Sequence, residues 1–162
     1  MRKNDVDILI DYMYWANHRL LDHAGRLPSE EFLQDTAVTT RNLRSTLVHE
    51  LDVEWSWRQN LRGRIGDDDA ELDPSDYPDV PTLHDHWLRD EAEMRLWLDS
   101  LSDAELAESV YSTFTDERRP LWIFLLHIVT HAAQQQADAA TLLSLAGESP
   151  GELSFLEYLS SR

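Results

Sequence analysis

The sequence predicts a single all-α domain built as a four-helix bundle, and three observations lead there. The chain has 162 residues, enough for one ordinary core and too few for two. Its apolar content of 42%, with six Trp, can offset the entropy of ordering the chain. Four segments carry apolar residues at spacings of three and four, the signature of helices with one buried face.

The first helix is expected to start after Asn4, with Asp7 placed as in a capping box, and to run to about Ala24. Leu9, Tyr12, Met13, Ala16, Leu20 and Leu21 share one face, and Pro28 closes the segment. A short turn, Ser29 to Phe32, leads into a polar stretch. The second helix is predicted over Arg41 to Leu61, with Leu43, Leu47, Leu51 and Leu61 inward and Gly63 and Gly66 as stop signals. From Gly66 to Pro81 the chain reads as an acidic loop. Its Asp67-Asp68-Asp69 run lacks the spacing and glycine of a calcium-binding loop, so a solvated loop is favoured.

A third helix is expected from Thr82, whose hydroxyl would cap amides near Asp85, to about Ser100. Ser102-Asp103-Ala104-Glu105 is a fresh capping box and predicts a short extra helix. The β-branched and aromatic stretch Val110 to Thr115 suggests an extended excursion without a sheet. The fourth helix opens at Pro120 and ends near Gly147, with so little polar face that it should be the most buried of the four. Beyond Pro150-Gly151, Leu153 to Leu159 should pack back as a short helix.

Composition excludes several functions. There is no cysteine, hence no disulfide, thiolate metal site or cysteine nucleophile; any metal must be held by His, carboxylate or amide groups. The net charge of -17 repels phosphate backbones, and no basic stripe overcomes it, so nucleic acid is not an expected partner. No apolar run approaches the roughly 20 residues of a membrane span. The opening Met1-Arg2-Lys3-Asn4-Asp5 lacks the pattern of a signal peptide, so a cytoplasmic location with no membrane partner is expected.

On the fourth helix His127 and His131 stand four residues apart, which puts two imidazoles on one face about 5–6 Å apart at Cβ. His49, mid-way along the second helix, would complete a set if helices two and four are neighbours. Taken singly, each His reads more readily as a hydrogen-bonded or surface residue than as a ligand. Other motifs fail. His49-Glu50 starts like the zinc-protease signature, but Val53 stands where the second His belongs. No Glu-x-x-His is present, which removes the ferritin-like di-iron site. Gly147-Glu148-Ser149-Pro150-Gly151 has the Gly-x-Ser-x-Gly form, yet it follows a helix and Pro150 has no N–H for an oxyanion hole. His18, His23, His84 and His86 read as surface or capping residues. Trp55 and Trp57, two positions apart, cannot both point inward.

Three stretches carry a resemblance: Tyr14-Trp15-Ala16-Asn17-His18-Arg19-Leu20-Leu21, Leu43-Arg44-Ser45-Thr46-Leu47-Val48-His49, and Pro120-Leu121-Trp122 through Leu126-His127-Ile128-Val129-Thr130-His131. Their order and separation resemble the DinB family of metal-dependent proteins, including the Ser149-Pro150-Gly151 tail. The resemblance implies a four-helix bundle and a divalent metal, zinc or nickel, held by one His on the second helix and a His-x-x-x-His pair on the fourth. His49 matches the first position and His131 the second, but the third falls on Gln135, and His127 matches a family histidine that is not normally a ligand. Gln offers a neutral amide oxygen where these metals prefer imidazole, so affinity should fall. Three arrangements stay open: Gln135 as a weak ligand, His127 recruited instead, or no metal. Asp138, three residues beyond Gln135, is placed to join the site or to face solvent.

The resemblance further implies an enzyme of the thiol-transferase type acting on a low-molecular-weight thiol. The alternative is a non-catalytic member that binds a small molecule or serves as a dimeric structural protein. A homodimer is expected, with the first and fourth helices as candidate faces.

Overall fold

The computed structural model describes residues 1–64 and 71–162; Gly66 and the Asp67-Asp68-Asp69 run lie outside the described residues. Four long helices form the bundle: α1 (Lys3–Ala24), α3 (Leu43–Leu61), α4 (Val80–Asp99) and α6 (Leu121–Leu145). Short helices α2 (Ser29–Leu33), α5 (Asp103–Ala107) and α7 (Phe155–Ser160) occupy the connections and the tail, with a 3₁₀ turn at Pro74–Asp76. α6 packs most extensively against α3 and α1, while α4 touches α1 and α3, so the helices run α1, α6, α3, α4 around the bundle. Helices two and four of the sequence reading are therefore neighbours.

The start signals differ from the sequence reading in detail. α1 begins two residues earlier than expected, because Asp5, not Asp7, accepts the backbone N–H of Arg2; Asp7 instead pairs with Lys3. α3 starts at Leu43, since the Asn42 side chain accepts the N–H of Ser45. α4 starts at Val80, capped by Asp79, which accepts the N–H of Thr82 at 2.9 Å; the Thr82 hydroxyl is not the cap. The capping box at Ser102 and Glu105 is formed as expected. Gly63 ends α3 with φ of +67°, a conformation that costs a Cβ-bearing residue.

One expectation is corrected outright. Val110 to Thr115 belongs to a two-stranded antiparallel hairpin, β1 (Ser109–Ser112) with β2 (Glu117–Pro120), in which Val110 faces Arg119. Asp116 takes φ of +52° at its turn. The hairpin makes Pro120 the last strand residue and the N-terminal neighbour of α6, so the chain enters that helix from a paired strand.

The core runs the length of the bundle and includes Met13, Leu20, Leu47, Leu51, Leu83, Met94, Ile128, Ala139 and Leu143, none more than 1% exposed. Truncation of such a residue, Leu47→Ala for example, costs about 2–5 kcal/mol. The C-terminal tail is tied to α1 by Tyr12, whose hydroxyl donates to the Leu153 carbonyl at 2.8 Å, and by Arg19, which donates to the Pro150 carbonyl at 2.7 Å. No helix among the described residues is long and apolar enough to cross a membrane.

Candidate metal centre between two helices

The contact between α3 and α6 brings His49 and His131 together, with ring centroids 5.1 Å apart and planes at 73°. Both are half-buried. Two imidazoles bound to one tetrahedral zinc at about 2.0–2.1 Å have centroids about 5 Å apart, so this pair has the separation of two ligands. His127, one turn before His131, lies 6.3 Å from it and rests on Trp57 at 4.8 Å, on the exposed side of the pair. Trp57 in turn packs on Phe124 of α6 and on Phe114 of the hairpin.

Burial holds the His49 imidazole below its usual range, with the Arg41 guanidinium acting in the same direction. For His131, burial and then the neighbouring His49, His127 and Arg41 push the pKa down to about 4. Its imidazole is neutral at physiological pH with a lone pair to give, the form in which His binds metal.

Gln135 stands four residues beyond His131, half-buried, and its side chain makes no hydrogen bond among the described residues. Asp138 is half-buried as well. Among the described residues no group of three or more His, Asp or Glu side chains converges as a metal site. The structure thus joins His49 with His131, sets His127 against Trp57, and supplies Gln135 by its helical register. As a donor set this fits a metal in part: two imidazoles of suitable separation and one amide oxygen.

Behind the pair lies a group of polar residues that sequence reasoning missed. Glu50 and Glu54 of α3 are wholly buried at the bundle axis, where they meet Asn17 of α1, Trp87 of α4 and Gln136 of α6. Asn17 Nδ2 donates to Glu54 Oε1 at 2.9 Å and Trp87 Nε1 to Glu54 Oε2 at 3.2 Å. The amide nitrogen of Gln136 lies 2.6 Å from Asn17 Oδ1 and 3.2 Å from both the Met13 carbonyl and Glu50 Oε1. Burial raises both carboxyls well above the carboxylate range, and the charge of Glu50 raises Glu54 further. One turn on, Arg58 pairs with Asp90 of α4, both side chains 2% exposed. The signal was present as Glu50, Glu54 and Arg58 at steps of four, but such a stripe reads as a solvated helix face.

His18 Nε2 lies 2.7 Å from Glu91 Oε2 and bridges α1 to α4, and His86 shares a hydrogen bond with the Tyr77 hydroxyl at 2.7 Å. Ser149 is exposed beyond the end of α6.

Among solved structures, a DinB-like protein from Bacillus cereus superposes with a TM-score of 0.68 at 14% identity, covering 89% of this chain and 94% of that one. A conserved protein from Enterococcus faecalis superposes with a TM-score of 0.59 at 15% identity, covering 86% and 95%. At such identities the likeness concerns the fold alone. A search of curated proteins finds no match. The family model described as DinB family matches residues 1–162, and the chain belongs to the DinB family.

Proposed function

We propose that the α3–α6 cleft is the metal centre of a DinB-type metal-dependent enzyme, of the thiol S-transferase kind, in a weakened form. The observation that carries this reading is the His49–His131 pair, whose 5.1 Å ring separation suits two ligands of one ion. His49 and His131 would hold zinc or nickel through neutral imidazoles, with the Gln135 amide oxygen as third ligand or His127 turned in from Trp57. A bound metal would lower the pKa of a low-molecular-weight thiol at its open position, so that the thiolate forms near neutral pH. The protein's own part is to keep both imidazoles unprotonated by burial and by the charge of Arg41, and to wall one side of the cleft with Trp57 and His127.

A second reading, a small-molecule-binding or structural member that works without metal, is favoured by one observation: an amide at position 135 where a third imidazole would complete the set. Elemental analysis and zinc titration of untagged protein separate the two. The enzyme reading expects one zinc per chain, lost in both His49→Ala and His131→Ala. Binding that survives both changes, or no binding at millimolar zinc, supports the metal-free reading.

A further inference from the structure

Where the end of α6 meets the start of α3, α2 and the residues that flank it close one side and leave a pocket of about 240 Å³. Leu43, 3% exposed, lies at its floor, and the half-buried Leu27 and Leu142 form its walls. Leu145, 67% exposed, stands at its mouth with the exposed Glu31 and Asp35. The covering segment is fixed in place: the Asn42 side chain donates to the Leu33 carbonyl at 3.3 Å, and the Thr36 hydroxyl accepts the N–H of Val38 at 3.1 Å. A dry cavity of about 150 Å³ already holds benzene, so this volume suits a body of about six to eight carbon atoms.

The mouth is negative for two independent reasons. Glu31 and Asp35 both line it, and neither side chain makes a hydrogen bond or ion pair among the described residues. The pocket also lies at the C-terminal end of α6, a helix of 25 residues whose dipole points its negative end there, and the last turn holds no basic residue to offset it. Pockets of similar size elsewhere carry acids that are already engaged. In the one of about 250 Å³ between α1 and α4, Asp7 pairs with Lys3 and Asp11 with Arg95; in the one beside the start of α4, Asp79 accepts the N–H of Thr82. Unpaired carboxylates above an apolar floor suit a cation with an apolar body.

We propose that this pocket binds a small aliphatic amine in its ammonium form, the alkyl chain against Leu27, Leu43 and Leu142 and the ammonium group at Glu31 and Asp35. The volume takes one alkyl chain and not the row of side chains that an amphipathic helix presents, and the carboxylates turn away anions. The site does not rest on the metal reading: Leu142 stands eleven residues beyond His131, about 16 Å farther along α6.

The test is NMR titration of isotope-labelled full-length protein at neutral pH with hexylamine, hexan-1-ol and hexanoate. Amide shifts should centre on the start of α3 and the end of α6. Hexylamine should bind about threefold or more tighter than hexan-1-ol, and hexanoate more weakly than either. The double variant Glu31→Gln with Asp35→Asn, both at exposed side chains, should bring hexylamine to the affinity of hexan-1-ol and leave the alcohol unchanged. Ala146→Phe, which places a ring in the pocket, should weaken amine and alcohol alike by about tenfold. If Ala146→Phe folds poorly, Leu145→Ser alters only an exposed side chain at the mouth, and a loss of about twofold for both ligands is expected. Equal affinity for amine and alcohol, no binding of the amine at about 10 mM, shifts centred elsewhere, or indifference to the carboxylate variant or to both pocket variants overturns the proposal. None of these outcomes bears on zinc binding at His49 and His131, so the two readings fail separately.

Discussion

His49 and Glu50 are neighbours on α3, and Gln135 and Gln136 are neighbours on α6, yet each pair divides between two regions of opposite character. Glu50 and Gln136 point to the bundle axis and are buried to within 3%, while His49 and Gln135 face the cleft, half-open. One step along a helix turns a side chain by about 100°, and here that step separates a buried polar network that links four helices from a half-buried pair of side chains at the α3–α6 contact. The difference lies in what each region can tolerate. A polar group at the axis must keep its partners or cost the fold its desolvation free energy. A cleft residue that meets solvent can change with little effect on stability, which is how Gln can stand at position 135 without loss of the bundle. The core network also orients the cleft, because Gln136 ties α6 to both α1 and α3 at the level where His49 and His131 meet.

Changes in the two regions should therefore differ most in stability. Breaking the buried ion pair by Asp90→Ala leaves Arg58 charged and unpaired in the core and should cost about 3–5 kcal/mol, measured by urea unfolding. A loss below about 1 kcal/mol would mean that water reaches Arg58. Asn17→Ala, which removes a donor to Glu54 and an acceptor from Gln136, should cost about 1–3 kcal/mol. In the cleft, His131→Ala and Gln135→Ala should each stay within about 1 kcal/mol of the parent. If Gln135→Ala proved as damaging as Asn17→Ala, the contrast between core and cleft would fail.

Acidity sharpens the comparison. Glu54 has its folded pKa raised above the unfolded value near 4.5, so the folded state holds that proton more tightly. Its contribution is fully present below pH 4.5 and is lost as pH rises toward the raised value. Glu50→Gln takes away the carboxylate that faces Glu54, so the difference in urea midpoint between variant and parent should grow in the variant's favour from pH 5 to pH 8. A difference independent of pH would contradict the burial of two carboxyls together. The smallest effect belongs to the His18–Glu91 bridge at the edge of the bundle. Glu91 raises the His18 pKa, so the stabilisation is present below 6.5 and fades as pH climbs through the raised value. His18→Gln should remove under about 1 kcal/mol at pH 6, since solvent screens the pair, and less at pH 9.

Much of this architecture was legible in the sequence. α3 and α6 announce themselves because Leu43, Leu47, Leu51 and the apolar run from Leu121 to Leu143 repeat with the helical period. Helix starts were less legible, since Arg2 to Asp7 and Asp79 to Thr82 each offer several capping side chains, and only backbone geometry selects among them. The hairpin was missed because its second strand, Glu117-Arg118-Arg119-Pro120, has no apolar alternation; pairing with β1 and the turn at Asp116 hold it. Of the cleft, the spacing of His127 and His131 was readable, but which of them meets His49 depends on how α3 packs against α6. The core network was illegible for the reason that hid it: Glu50, Glu54 and Arg58 look like a solvent face until three other helices close over them.

The central claim is that His49, His131 and position 135 form one site held in register by the packed core. It is tested most directly by Gln135→His, which adds a third imidazole at the helical spacing of a chelating pair. The measurement is zinc affinity together with the thermal midpoint at increasing zinc, for the parent, Gln135→His, and Gln135→His with His49→Ala. The account predicts tighter zinc binding and a larger zinc-dependent rise in midpoint for Gln135→His, because a ligand bound to the folded state stabilises it by mass action, and loss of both effects in the double variant. Zinc binding by Gln135→His no tighter than the parent's, with a midpoint indifferent to metal, would contradict it.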